Sequence, residues 1–112
     1  MDRGQSLIIP ALFDDTNYAY WKVRIRVFLQ SLDEKVWQAV EIGWTMPTEA
    51  PADWDNAKIK AENFNSRALN ALFSAVTNEE FKKISSTETA KEAWTIHQTT
   101  YEGTKVVKYS KL

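Results

Sequence analysis

Apolar side chains recur three and four residues apart through most of this chain, the repeat of helices that each bury one face. Tyr18, Trp21, Ile25, Phe28, Leu29 and Leu32 form the first stripe, with Thr16 or Asn17 placed to cap it and Lys22, Arg24 and Arg26 on its other faces. Asp33 predicts a fresh N-cap for a short second helix that buries Val36, Trp37 and Val40, with Gly43 just past its end. From Glu41 to Ala52 the pattern breaks at Gly43, Pro47 and Pro51, yet Ile42, Trp44 and Met46 remain, which predicts a loop carrying large apolar anchors. The longest helical signal runs from about Asp53 to Val76 through Trp54, Ala57, Ala61, Phe64, Ala68, Leu69, Leu72, Phe73 and Val76, with no Gly or Pro inside it. Asn78 is expected to cap a short turn with Phe81 and Ile84. Thr89 and Glu92 then set up a capping box for a helix carrying Ala93, Trp94, Ile96 and Tyr101.

These elements predict an all-α, compact single-domain bundle of about five helices over residues 13–104. An extended arm covers 1–12. The stretch 105–112 reads as a basic tail, the start of a further helix truncated by the chain end. Tyr18, Trp21, Phe28, Trp37, Phe64, Leu72 and Trp94 are the expected core anchors. No repeat, low-complexity tract or convincing strand competes with this reading.

Composition supports a folded core, since the chain is 44% hydrophobic with five Trp, five Phe and four Tyr. Net charge is −1, so the overall field that draws proteins to nucleic acid or anionic membranes is missing. Charge is unevenly spread, with residues 41–62 at −3 and residues 82–112 at +3, a dipolar pattern compatible with head-to-tail contacts between copies. There are no cysteines, which removes thiolate chemistry and makes the reducing cytoplasm the expected location. Leu7-Ile8-Ile9 is too short for a signal or a membrane span, so no membrane association is expected.

Candidate chemistry is sparse. His97 is the single histidine, so no usual transition-metal site or nucleophile-activating pair can be built around it, and a partly buried or surface ring is expected. Asp14-Asp15, Asp33-Glu34 and Glu79-Glu80 all fall at predicted helix starts, where carboxylates suit the macrodipole as caps and solvated first turns. An aromatic ligand cage is disfavoured for Trp21, Trp37 and Trp94 by their helical spacing beside aliphatic residues. Trp44 stays open between a core anchor and an exposed contact, because it lies in a loop. Lys105, Lys108 and Lys111 could touch phosphate, but three charges supply only a weak, salt-sensitive term. No cofactor and no enzyme activity are expected.

Phe13, Asn17-Tyr18 with Trp21, Leu29, Trp37 and Val40, Asp55 and Ala57, then Thr89-Ala90-Lys91-Glu92-Ala93-Trp94 and Tyr101-Glu102-Gly103, together resemble the N-terminal Gag region of plant copia-type LTR retrotransposons. The resemblance implies the leading, all-helical part of a capsid, a capsid N-terminal-domain-like fold whose copies assemble into a shell around RNA. Asp15 stands where that family usually has Gly, which is expected to alter the turn entering the first helix. His97 stands where an apolar residue usually follows the Trp by one turn. The further helices and zinc knuckle of a full Gag are not in the sequence, so RNA contact is expected only weakly or through those absent segments. The expected function is therefore non-enzymatic: a Gag-derived, capsid-like domain that self-associates as a particle building block. The second reading is a domesticated module that binds a host or viral protein without forming shells. For either, the candidate interaction surface is Ile42, Trp44 and Met46 with Lys105, Lys108 and Lys111.

Overall fold

A computed structural model of the chain describes residues 12–103. Five α-helices follow one another among the described residues: α1 (Tyr18–Leu32), α2 (Glu34–Glu41), α3 (Asn56–Ser74), α4 (Asn78–Ile84) and α5 (Ala90–Gln98). A 3-10 turn, Pro51–Asp53, precedes α3, and a π-turn, Thr99–Gly103, continues α5. The all-α single domain expected from the periodicity is the architecture found.

Local chemistry places each boundary. The Asp33 carboxylate accepts from Lys35 N and starts α2, and the Asp55 carboxylate accepts from Lys58 N and starts α3 three residues later than the periodicity suggested. Trp54 accordingly falls outside the helix, where its Nε1 donates to the Glu49 carbonyl at 3.0 Å and folds the loop back on itself. At α5 the capping box is complete: Glu92 N donates to Thr89 Oγ1 at 3.1 Å, and the Glu92 carboxylate accepts from Thr89 N at 3.3 Å. Two expected caps are absent. Asn17 makes no cap bond to α1; its amide donates to the Leu12 carbonyl at 3.1 Å. Asn78 is the first residue of α4, behind Thr77, which makes no side-chain cap bond.

The turn entering α1 also differs from expectation. Asp15 adopts φ +77°, the left-handed conformation that favours glycine. The adjoining Asp14 carboxylate accepts from both Thr16 N (3.0 Å) and Thr16 Oγ1 (2.6 Å) and so holds the turn in shape.

α3 packs against α2 and α5, α1 packs against α2, and α5 also packs against α2. On its inner face α3 presents Ala68, Ala71 and Leu72, and Ala75 and Val76 follow directly. The alanines among them let large rings from other elements come close. Asn65, also buried, donates to the Glu88 carbonyl at 3.2 Å and accepts from Ala90 N at 2.8 Å, which pins the start of α5 onto α3. Of the expected anchors, Trp21, Trp37 and Leu72 are buried, while Tyr18, Phe28, Phe64 and Trp94 are partly buried against the core. Leu32 and Ile96, assigned to buried stripes, are exposed: Leu32 is the last residue of α1, and Ile96 lies at the edge of the α5 face that buries Ala90, Ala93 and His97.

Phe13 has no helical periodicity to announce it, yet it is wholly buried. Its N–H donates to the Ala75 carbonyl at 2.7 Å, and its own carbonyl accepts from Thr77 N at 3.1 Å. This forms a single parallel bridge with Val76, the one strand-like pairing among the described residues. The Ala75 carbonyl also accepts from Trp21 Nε1 at 3.0 Å. The segment before α1 is thereby tied to the end of α3 by its backbone, and α1 itself by the Trp21 indole.

Candidate interaction surface

The 42–46 loop leaves α2 through Gly43 at φ +102°, with Ile42 N and Gly43 N both donating to the Gln38 carbonyl. The conformation favours glycine, and a Cβ at Gly43 would lie 2.8 Å from Lys91 Cδ and push that side chain aside. Lys91 Nζ donates to the Ile42 carbonyl at 3.3 Å and ties the loop to α5. The loop stands as a ridge between two grooves. One is floored by Ala39, Ala61 and Phe64 and rimmed by Lys35 and Lys60. The other runs along α5 past Thr89, Lys91 and Ile96. Trp44 is half-buried and walls both. Ile42 is 67% and Met46 56% exposed, so two of the three candidate loop residues face solvent. Lys105, Lys108 and Lys111 lie outside the described residues.

A second apolar surface was not singled out in the sequence. On α1, Tyr20 is 78% exposed, and Val23 and Val27 are each more than half exposed. The spacing i, i+3, i+7 puts them in one line on the side opposite buried Trp21, Ile25 and Leu29. The signal lay in the sequence as a second, off-phase stripe. Val23 and Arg26 also edge a groove floored by Trp37 and Trp94.

Behind these surfaces the aromatic rings form a solid interior. Trp94 stacks on Trp21 with centroids 5.9 Å apart and meets Trp37 edge-on at 5.5 Å, an arrangement of packed rings with no open cage. His97 is 4% exposed and sits among Phe13 (4.4 Å), Trp21 (4.7 Å), Tyr101 (5.1 Å) and Tyr18 (5.8 Å). The expectation of a partly buried or surface histidine is thus replaced by a fully enclosed one. Its Nε2 has no hydrogen-bond partner. Burial lowers its pKa to about 4, against an opposing pull from Glu80.

Two polar clasps border this box. Tyr18 Oη donates to the Glu102 carboxylate at 2.8 Å, and Lys22 pairs with the same carboxylate. The Lys22 ammonium is the main cause of a lowered Glu102 pKa, while burial is the main cause of a raised Tyr18 pKa. On the other side Tyr101 Oη donates to Glu80 at 2.7 Å, and Lys83 pairs with Glu80 at 3.3 Å. Glu80 is therefore no solvated first-turn residue: it is buried, because α4 packs against α5 and the tyrosine supplies its partner. Glu79 does follow the expected pattern, exposed and paired with Lys82 at 3.6 Å.

Among the described residues no group of three His, Asp or Glu side chains could hold a metal ion, and no helix is long and apolar enough to cross a membrane. No match to a protein-family model, a curated protein or a solved structure was found.

Proposed function

We propose that the chain is a non-enzymatic, capsid-like domain that self-associates as the building block of a larger particle, as its resemblance to plant copia-type Gag implies. The observation that carries this reading is the ridge of Ile42, Trp44 and Met46, which spends two strongly exposed apolar side chains on a loop held in place by Gly43 and Lys91. Large apolar groups exposed on a loop anchored at its start favour contact with another protein surface over contact with water. The polar side chains inside the domain support the same view, because Glu80, Glu102, Tyr18 and Tyr101 are engaged with one another or with lysines and take structural parts. The proposed location is the cytoplasm, and the proposed partner is the chain itself.

The second reading, a domesticated module that binds a host or viral protein without building shells, rests on the same ridge. Trp44→Ala separates the two. Light scattering over a concentration series is expected to show lost self-association with an unchanged far-UV circular dichroism spectrum. Loss of a heterologous partner with no change in oligomeric state favours the module instead.

A further inference from the structure

Resting on that self-association, we infer that the contact is heterologous: the outer face of α1 on one copy receives the acidic 43–55 loop of the next. The face is apolar and basic together. Tyr20, Val23 and Val27 make its exposed line, and Arg24 and Arg26 flank that line on opposite sides. Neither arginine has an ion-pair partner among the described residues, whereas the lysines of the basic C-terminal half that fall on α4 are already paired with Glu79 and Glu80. No acid occurs anywhere on α1. Two copies meeting through this face symmetrically would set four unpaired guanidinium groups against one another, an arrangement that is strongly disfavoured. The face therefore calls for an acidic, partly apolar surface, and the chain carries one.

Between Gly43 and Ala57 there are three acids, Glu49, Asp53 and Asp55, and no base. Lys58 lies near Glu49 (3.5 Å) and Asp55 (3.7 Å), which leaves Asp53 without a partner among the described residues. The same loop bears the exposed Ile42 and Met46 at and just beyond its entry. Apolar ridge on apolar stripe, with carboxylates against arginines, satisfies both halves of the recognition. Unlike surfaces meeting in this way propagate from copy to copy into rings or filaments and do not stop at a dimer.

Paired charge reversals test this. Arg24→Glu/Arg26→Glu makes the α1 face acidic. Glu49→Lys/Asp53→Lys makes the loop basic while sparing Asp55, the α3 cap, and the Glu49 carbonyl that receives Trp54. Thermal melts by circular dichroism are expected to show both variants folded. In sedimentation velocity at low salt each variant alone should associate on the order of a hundredfold more weakly than the unmodified chain. An equimolar mixture should recover association, because each variant then meets a complementary face on the other. If both variants associate as the unmodified chain does, or if the mixture stays as weak as its components, this contact is wrong while self-association stands. An unmodified chain that remains monomeric at every concentration overturns the contact and the self-association reading together.

Discussion

The buried His97 ties the stability of the fold to pH between about 7.5 and about 5, above the range in which the shifted carboxylates chiefly act. Its folded-state pKa of about 4 lies below the ordinary value of 6.5, so the unfolded chain binds a proton that the folded chain refuses. The stabilisation is complete above the ordinary value and is lost progressively as pH falls towards the folded value. Going from about pH 7.5 to about pH 5, linkage between these two values removes roughly 2 kcal/mol of folding free energy. Glu102, Asp14 and Asp55 also have lowered pKa values, but their losses centre on the ordinary carboxylate values of 4.5 and 3.8 and below, beneath the pH 5 end of this comparison. Urea denaturation at the two pH values measures the effect as a shift in midpoint. His97→Leu, which keeps an apolar filling among Phe13, Trp21 and Tyr101, should remove most of the difference between the two pH values. A slope of equal size in His97→Leu would refute the assignment to this imidazole.

Phe13→Ala should destabilise the domain by about 3–5 kcal/mol, because it empties a fully buried aromatic site between α3 and the His97 box; the urea midpoint reads the loss. Gly43→Ala should cost about 1–2 kcal/mol from its backbone conformation, with an added steric part from Lys91 Cδ at 2.8 Å. In a Lys91→Ala background only the backbone part should remain, measured by thermal melts of the four chains of the cycle.

Much of the helical framework was legible because its causes are local. Asp33, Asp55 and the Thr89–Glu92 box each act within one turn, and the apolar stripes of α1, α2 and α3 follow directly from a 3.6-residue repeat. What the sequence left unread depends on distant partners. Phe13 is one residue in a non-helical segment, and only the carbonyl of Ala75 and N–H of Thr77 make its position a core position. Glu80 looks like any first-turn acid until Tyr101, twenty-one residues on, reaches it. Asp15 takes the left-handed turn in spite of its side chain, held by neighbouring Asp14 bonds that a preference for glycine does not anticipate. Of the candidate surface, Ile42, Trp44 and Met46 were recognisable as apolar residues in helix-breaking company. The outward line of Tyr20, Val23 and Val27 was masked by the stronger inward stripe of the same helix.

Sedimentation equilibrium of the unmodified chain tests the central proposal most directly. Self-association predicts a weight-average mass that starts near the 12.9 kDa of one chain in dilute solution and climbs as concentration is raised; the charged contact between α1 and the 43–55 loop adds that it falls back when salt is added. A mass that holds at 12.9 kDa across the whole series, at low salt as at high, contradicts it.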